Sequence, residues 1–444
     1  MPWREALRPM RMERVALVAP EGSLRPALVE VARGGAVELD LPYAPGDGPD
    51  ELDRARECAV LSGPVAGLVG WVPSREVPEL AARLAGHGAA VVPLVHPRGV
   101  QPPTLITATR TRRVSRTLVD TYGTVPYADL DPARLAGLAY VVMFGMMFGD
   151  VGHGAVLVVV GLVLRSGRFA RLARLRRTWL FVTGAGLVSM VFGALYGEAF
   201  GPTGLVPVLW LDPLADPVQL MLTTLVVGAA LLAGAYALGT INRVHEGGWG
   251  YALYARSGFA GSGLFLAVGL IAWGITAGIT PLVTAGVLVG VTALALTFVG
   301  LLVEAGGGAT GVFEAVVEEF DTVLRLGSNI VSFARLAAFG LTHAALLTVV
   351  WDGTTALWAP DWRAAAAVLL FAVGNVLTFA LEALVAGIQA LRLEYYELFS
   401  RVFLSEGRPF RPWAPALGAD PVPADPAGPS SSIHSVGSTE GRHP

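Results

Sequence analysis

The chain has 444 residues, 53% of them hydrophobic and only 15% charged, with a formal net charge of −3 and a mean hydropathy of +0.57. Soluble domains carry about 25% charged residues, so a wholly water-soluble protein is excluded, and the slight acidic balance argues against a nucleic-acid partner. A single cysteine, Cys58, excludes an intramolecular disulfide and a cysteine-cluster metal site.

From the N-terminus, Met1 to Arg14 holds four arginines and two glutamates with no long apolar run behind them, so no secretory signal is expected and the front of the chain should stay cytoplasmic. Arg14 to Pro20 reads as a strand, Leu24 to Val31 as a helix and Ala36 to Leu41 as a second strand. A Pro/Gly/Asp-rich linker follows, Tyr43 to Leu52. Val65 to Val72 is again strand-like, Ser74 is placed to cap a helix running to about Ala85, and Ala89 to Val95 is a strand. The expected organisation is a small cytoplasmic α/β domain over 1–130, a membrane domain over 131–404 and a cytoplasmic tail over 405–444. That tail is rich in Pro, Ser, Gly and Asp from about Pro415 on and is expected to be largely disordered.

The membrane domain is expected to be an all-α bundle of about eight spans, the last two long and tilted. The run 133–165 is interrupted at Gly149-Asp150-Val151-Gly152-His153-Gly154 and followed by Arg165, Arg168, Arg171, Arg174, Arg176 and Arg177. One crossing would leave those arginines outside, against the positive-inside rule. A hairpin turning near Asp150 returns them to the cytoplasm, and Gly149, Asp150, Gly152 and His153 are assigned to shaping that turn. Further spans follow at 178–200, 217–240, 257–277, 282–304, 327–352 and 363–402. The loops assigned outside, 201–216 and 353–362, hold no Lys or Arg. Both termini are therefore expected in the cytoplasm. At 1.5 Å per residue the last span measures roughly 60 Å, so it must tilt or extend beyond the bilayer.

Charges inside these spans carry the functional signal. Arg335 stands in Val331-Ser332-Phe333-Ala334-Arg335-Leu336, and Arg392 follows Ala390-Leu391, with Glu394 and Glu397 near it in sequence. An arginine at a helix centre costs about 2.5–3.5 kcal/mol on insertion scales and cannot neutralise itself. It needs a partner or a water-filled cavity. Glu382 and Gln389, seven apart, lie nearly one above the other on the last span, with Arg392 three further on. His343 follows Arg335 by eight residues, Ser332 precedes it by about one turn, and Asp321 and Asn329 approach from the cytoplasmic side. Such sets of Glu, His and Asp mark ion pathways. Glu198 reads as a membrane-edge carboxylate that water can solvate. No GxxxxGK[ST] loop, HExxH pair or Ser/His/Asp order is present, so the chain is read as having no ATP site, no metal and no cofactor of its own.

These motifs resemble subunit a of the V-type ATPases, called subunit I in bacterial and archaeal complexes. Phe144 to Gly154 (FGMMFGDVGHG) looks like the family's hairpin signature, and Leu195-Tyr196-Gly197-Glu198 is similar to its next element. Ser332-Phe333-Ala334-Arg335-Leu336 with His343 looks like the segment carrying the essential arginine. Glu382, Gln389 and Leu391-Arg392-Leu393 resemble the last-helix pattern, and Gly407-Arg408-Pro409-Phe410 its ending. Upstream, Gly70-Trp71-Val72-Pro73 and Pro102-Pro103-Thr104 look like its soluble-domain motifs. The resemblance implies a static subunit of a bacterial plasma-membrane V-type ATPase or synthase, beside a rotating proteolipid ring and joined to stalk subunits. Two half-channels for H+ or Na+ would be separated by Arg335 and Arg392. Glu382 and Gln389 would line one path, with Asp321 and His343 as candidates for the other. The family's longer cytoplasmic part, with its coiled-coil rod, has no room here except near Tyr43 to Glu57, which implies a shortened form. The rival readings are an autonomous secondary transporter, which often shows two similar halves that are not seen here, and an assembly subunit without ion flow.

Overall fold

The computed structural model describes residues 9–43, 46, 50–96, 100–106, 113–168, 175–255, 257–402 and 407–415. Arg171, Arg174 and Arg256, residues 405 and 406, and the Pro/Ser-rich tail from 416 on lie outside them. The described residues form two compact units, one of Arg11–Val100 with residues 411–415, the other centred on Gln101–Phe410.

In the first unit, alternation of apolar and polar residues sets an antiparallel sheet in the order β2-β4-β1-β5, with β3 also on β4. Its strands are β1 (Met12–Pro20), β2 (Glu38–Leu39), β3 (Val60–Ser62), β4 (Val65–Pro73) and β5 (Ala90–Pro93). Helices α1 (Leu24–Gly34) and α3 (Val77–Ala85) place Leu28, Val31, Leu80 and Leu84 in one core with Val15, Leu68 and Val72. The segment read as a linker ends in a short helix, α2 (Glu51–Glu57). Ser74 does not cap α3, which starts at Val77 after Glu76 with no side-chain cap. The core is closed by Trp413, from the far end of the chain. Its backbone N–H donates to the Val37 carbonyl at 2.7 Å, and the Arg411 N–H donates to the Glu38 carboxylate at 2.7 Å.

The second unit is helical. It opens with α4 (Arg113–Tyr122) and continues with α5 (Ala133–Met147), α6 (Val151–Ser166), α7 (Trp179–Tyr196), α8 (Pro217–Tyr254), α9 (Phe259–Ala277) and α10 (Thr280–Glu304). Three more follow: α11 (Gly308–Ser332), α12 (Ala334–Leu357) and α13 (Trp362–Leu393). Among the described residues six helical stretches are long and apolar enough to cross a membrane, while α5 and α6 are shorter apolar helices. The outward faces are greasy: Leu369, Val376 and Leu384 of α13 are 63%, 67% and 62% exposed, a surface suited to hydrocarbon rather than water.

The hairpin near Asp150 is present, and α6 and α7 meet across glycines. A Cβ on Gly154 would lie 2.7 Å from the Gly186 carbonyl oxygen, and one on Gly186 would lie 2.7 Å from that of Gly154. Small residues let the two backbones touch, which is how helices associate where lipid offers no hydrophobic drive. The span expected from 327 differs. The helix begins at Gly308, because the carboxylates Glu314, Glu318 and Asp321 break the apolar run without breaking the helix. It is interrupted at Phe333, where tight i→i−3 bonds run from the Phe333 N–H to Ile330 and from the Leu336 N–H to Phe333. Past α13 the last span continues as a π-helical turn, Glu394–Phe399.

Candidate functional site: a polar cleft around Arg335

The break at Phe333 positions Arg335. The Phe333 ring is fully buried against α8, where Gly228 makes room: a Cβ there would overlap the ring. With Phe333 anchored, Arg335 falls in the first turn of α12 and points into a cleft of about 600 Å³. Ser328, Asn329 and Ser332 line it from α11, Arg392 from α13, and Tyr396 and Glu397 from the π turn. Arg335 is partly buried, and its Nη1 is enclosed without a hydrogen-bond partner. Its charged neighbours are Arg392 and Glu397. Arg392 is exposed, whereas Glu397 is 8% exposed. The Asn329 amide, with its nitrogen turned to the Arg325 carbonyl, accepts from the Arg401 guanidinium at 2.5 Å.

A second polar group lies farther along α12. His343, 2% exposed, bonds through Nδ1 to the Glu382 carboxylate of α13. It stands about 12 Å along the helix axis from Arg335. The other Glu382 oxygen, the His343 Nε2 and the Gln389 amide oxygen are enclosed without partners. The fold thus brings His343 to Glu382 and not to Asp321, which pairs with Arg325 at 2.5 Å on α11 with half its side chain exposed. Asp150 is wholly buried and accepts the N–H groups of His153 at 2.8 Å, Phe200 at 3.0 Å and Gly201 at 2.9 Å. It caps α6 and ties down the 200–201 turn. Gly149 and Gly152 give way to the rings of Tyr196 and Phe200, which a Cβ at either position would strike. Glu198, read as solvated, is 6% exposed, because the segment after α7 folds back onto the hairpin, the Val151 N–H donating to the Glu198 carbonyl at 2.9 Å.

Sequence reasoning missed two features. Glu397 and Tyr396 line the cleft from the π turn, beyond the end of α13. Outside the spans, Asp129 (0% exposed) lies 3.6 Å from Arg243 (1% exposed), which also pairs with Glu246 at 2.6 Å, while the Asn242 amide oxygen accepts from the Leu130 N–H at 3.1 Å. Burial, reinforced by Glu246 and opposed by Arg243, pushes the Asp129 carboxyl up to about 8. Arg243 lies just past the span expected at 217–240, and nothing in the sequence marks it as buried.

Residues 63–203 match the sequence model of the V-type ATPase 116kDa subunit family. The chain is 27% identical over 404 residues to the A-type ATP synthase subunit I of Archaeoglobus fulgidus, covering 78% of this chain and 58% of that protein. It is 25% identical over 370 residues to the same-named protein of Pyrococcus horikoshii, covering 78% and 53%. To the V-type ATP synthase subunit I 2 of Treponema pallidum it is 30% identical over 190 residues, 40% of this chain and 39% of the other. The chain spans little more than half the length of the two archaeal relatives.

Proposed function

The chain belongs to the V-type ATPase 116 kDa subunit family, and from that premise we propose that it is the static membrane subunit of a rotary ATPase, past which a rotating ring of proteolipid subunits exchanges H+ or Na+. The observation that carries this reading is Arg335, a permanent cation whose Nη1 has no hydrogen-bond partner among the described residues, set in a polar cleft between α11, α12 and the end of α13. A carboxylate of another subunit arriving there is held in its ionised form by the fixed charge. Loaded with its ion it is neutral and can leave into lipid, where a bare charge could not go. Rotation is thereby tied to one ion in and one ion out.

In this reading Arg335 and Arg392 stand between the two access paths and keep them separate. Ser328, Asn329 and Ser332 line the cytoplasmic approach, with Asp321 near its mouth, and Glu382, His343 and Gln389 line the approach from the far side. Gly149, Asp150, Gly152 and His153 hold the α5–α6 turn against that path. Both chain ends lie in the cytoplasm, the helical unit spans the plasma membrane, and the unit built on the β-sheet meets the stalk subunits. ATP is bound and turned over by other subunits.

Arg335→Ala in the assembled complex is the direct test. ATP-driven ion pumping into vesicles is expected to fall below detection while the variant still copurifies with its partner subunits. Undiminished pumping would defeat the reading. Ion flux by the isolated chain, without a proteolipid ring, would instead identify a transporter.

A further inference from the structure

Asp150, His153 and His343 are 0%, 1% and 2% exposed, and one potential ligand atom from each lies within 4.8 Å of the other two. Hydrogen bonding leaves them unsaturated. The His153 ring has the Asn375 side chain as a hydrogen-bonding neighbour, while Nε2 of His343 is enclosed without a hydrogen-bond partner among the described residues. Each buried polar atom left so costs about 1–3 kcal/mol. The His343 Nδ1 is held from behind by the Glu382 carboxylate, as the outer nitrogen of a metal-ligating histidine is usually held. The Asp150 carboxylate is fixed by three backbone N–H groups and keeps one lone-pair direction unused.

We propose that Asp150, His153 and His343 form a binding site for a divalent first-row transition-metal ion of the zinc class. Two imidazoles and one carboxylate with a fourth position left to water are a set that suits zinc, and the lack of a thiolate disfavours copper(I). Zinc–nitrogen bonds of about 2.0–2.1 Å place tetrahedral ligand atoms roughly 3.4 Å apart. Binding therefore turns the two rings inward from their present spacing.

The test uses the full-length chain purified in detergent and stripped with chelator, then titrated with ZnCl2 against a chromogenic zinc indicator. One tight equivalent is expected in the wild type and in His245→Gln, and one fewer in both His153→Gln and His343→Gln. Equal stoichiometry in all four proteins overturns the proposal. Because either variant can misfold, X-ray absorption at the zinc edge of the wild type supplies an independent measurement. Outer-shell scattering from two imidazoles supports the site, and a shell without imidazole removes it. Under the function proposed above, the bound ion would also block the path along Glu382 and His343. That consequence rests on the proposed function, so binding without inhibition would count against the path and not against the site.

Discussion

A guanidinium keeps its proton at every pH the protein meets, so what surrounds Arg335 has to compensate it. Its position within an apolar run made it visible from the sequence, and the same holds for the carboxylate of Glu382 in Thr378-Phe379-Ala380-Leu381-Glu382. Glu397 was visible only as a charge close to the end of a span. What burial does to a charge is plainest at Asp129, outside the spans. With its carboxyl pushed up to about 8, against about 3.9 for a free aspartate, the folded chain holds a proton that the unfolded chain has released. Stability is therefore full below about pH 4 from this group and declines as pH rises toward 8. In Asp129→Asn the neutral side chain is permanent. Thermal unfolding measured at pH 5, 6.5 and 8 is expected to show a fall in midpoint for the wild type and a flatter profile for the variant. Equal slopes would mean that Asp129 does not hold its proton.

At the scale of elements, hydropathy located the hairpin and most helices to within a few residues, because a membrane span must be apolar over its whole length. It failed where a helix is amphipathic. The first four turns or so of α11 carry Glu314, Glu318 and Asp321 beside Val312, Phe313 and Val316, and an apolar-run criterion skips such a stretch. The break at Phe333 was equally silent, since no glycine or proline marks it. Its cause is tertiary: the ring docks on Gly228. Gly228→Val is accordingly expected to displace Phe333, costing about 1–3 kcal/mol by overpacking, and to misplace Arg335. Under the proposed function, pumping should drop well below that of Gly269→Val, a control position on α9 with open space around it. Parity between the two variants in vesicle assays would show that the docking does not aim the arginine.

For the whole molecule, the apolar middle and the mixed α/β front were plain from composition, while the tie between distant segments of the chain was not. Nothing in residues 411–415 announces a core residue, yet Trp413 is 2% exposed among Leu28, Val37 and Leu80. Only the folded path reveals it, because a tryptophan in a proline-containing stretch looks the same whether exposed or enclosed. Trp413→Ala should destabilise the sheet-bearing unit by about 3–5 kcal/mol. Limited proteolysis is expected to cut within residues 11–100 far faster than in the wild type, while the apolar helices stay protected by detergent. Unchanged cleavage would remove Trp413 from the core.

That placement also imposes a timetable on biosynthesis. The ribosome makes the five strands first and their missing wall last, after every apolar helix has been handed to the bilayer. Until then the head waits with a gap where the indole belongs. A product that stalls or terminates early therefore carries an unfinished head that proteases can recognise, and a closed one certifies that translation has run through all the helices.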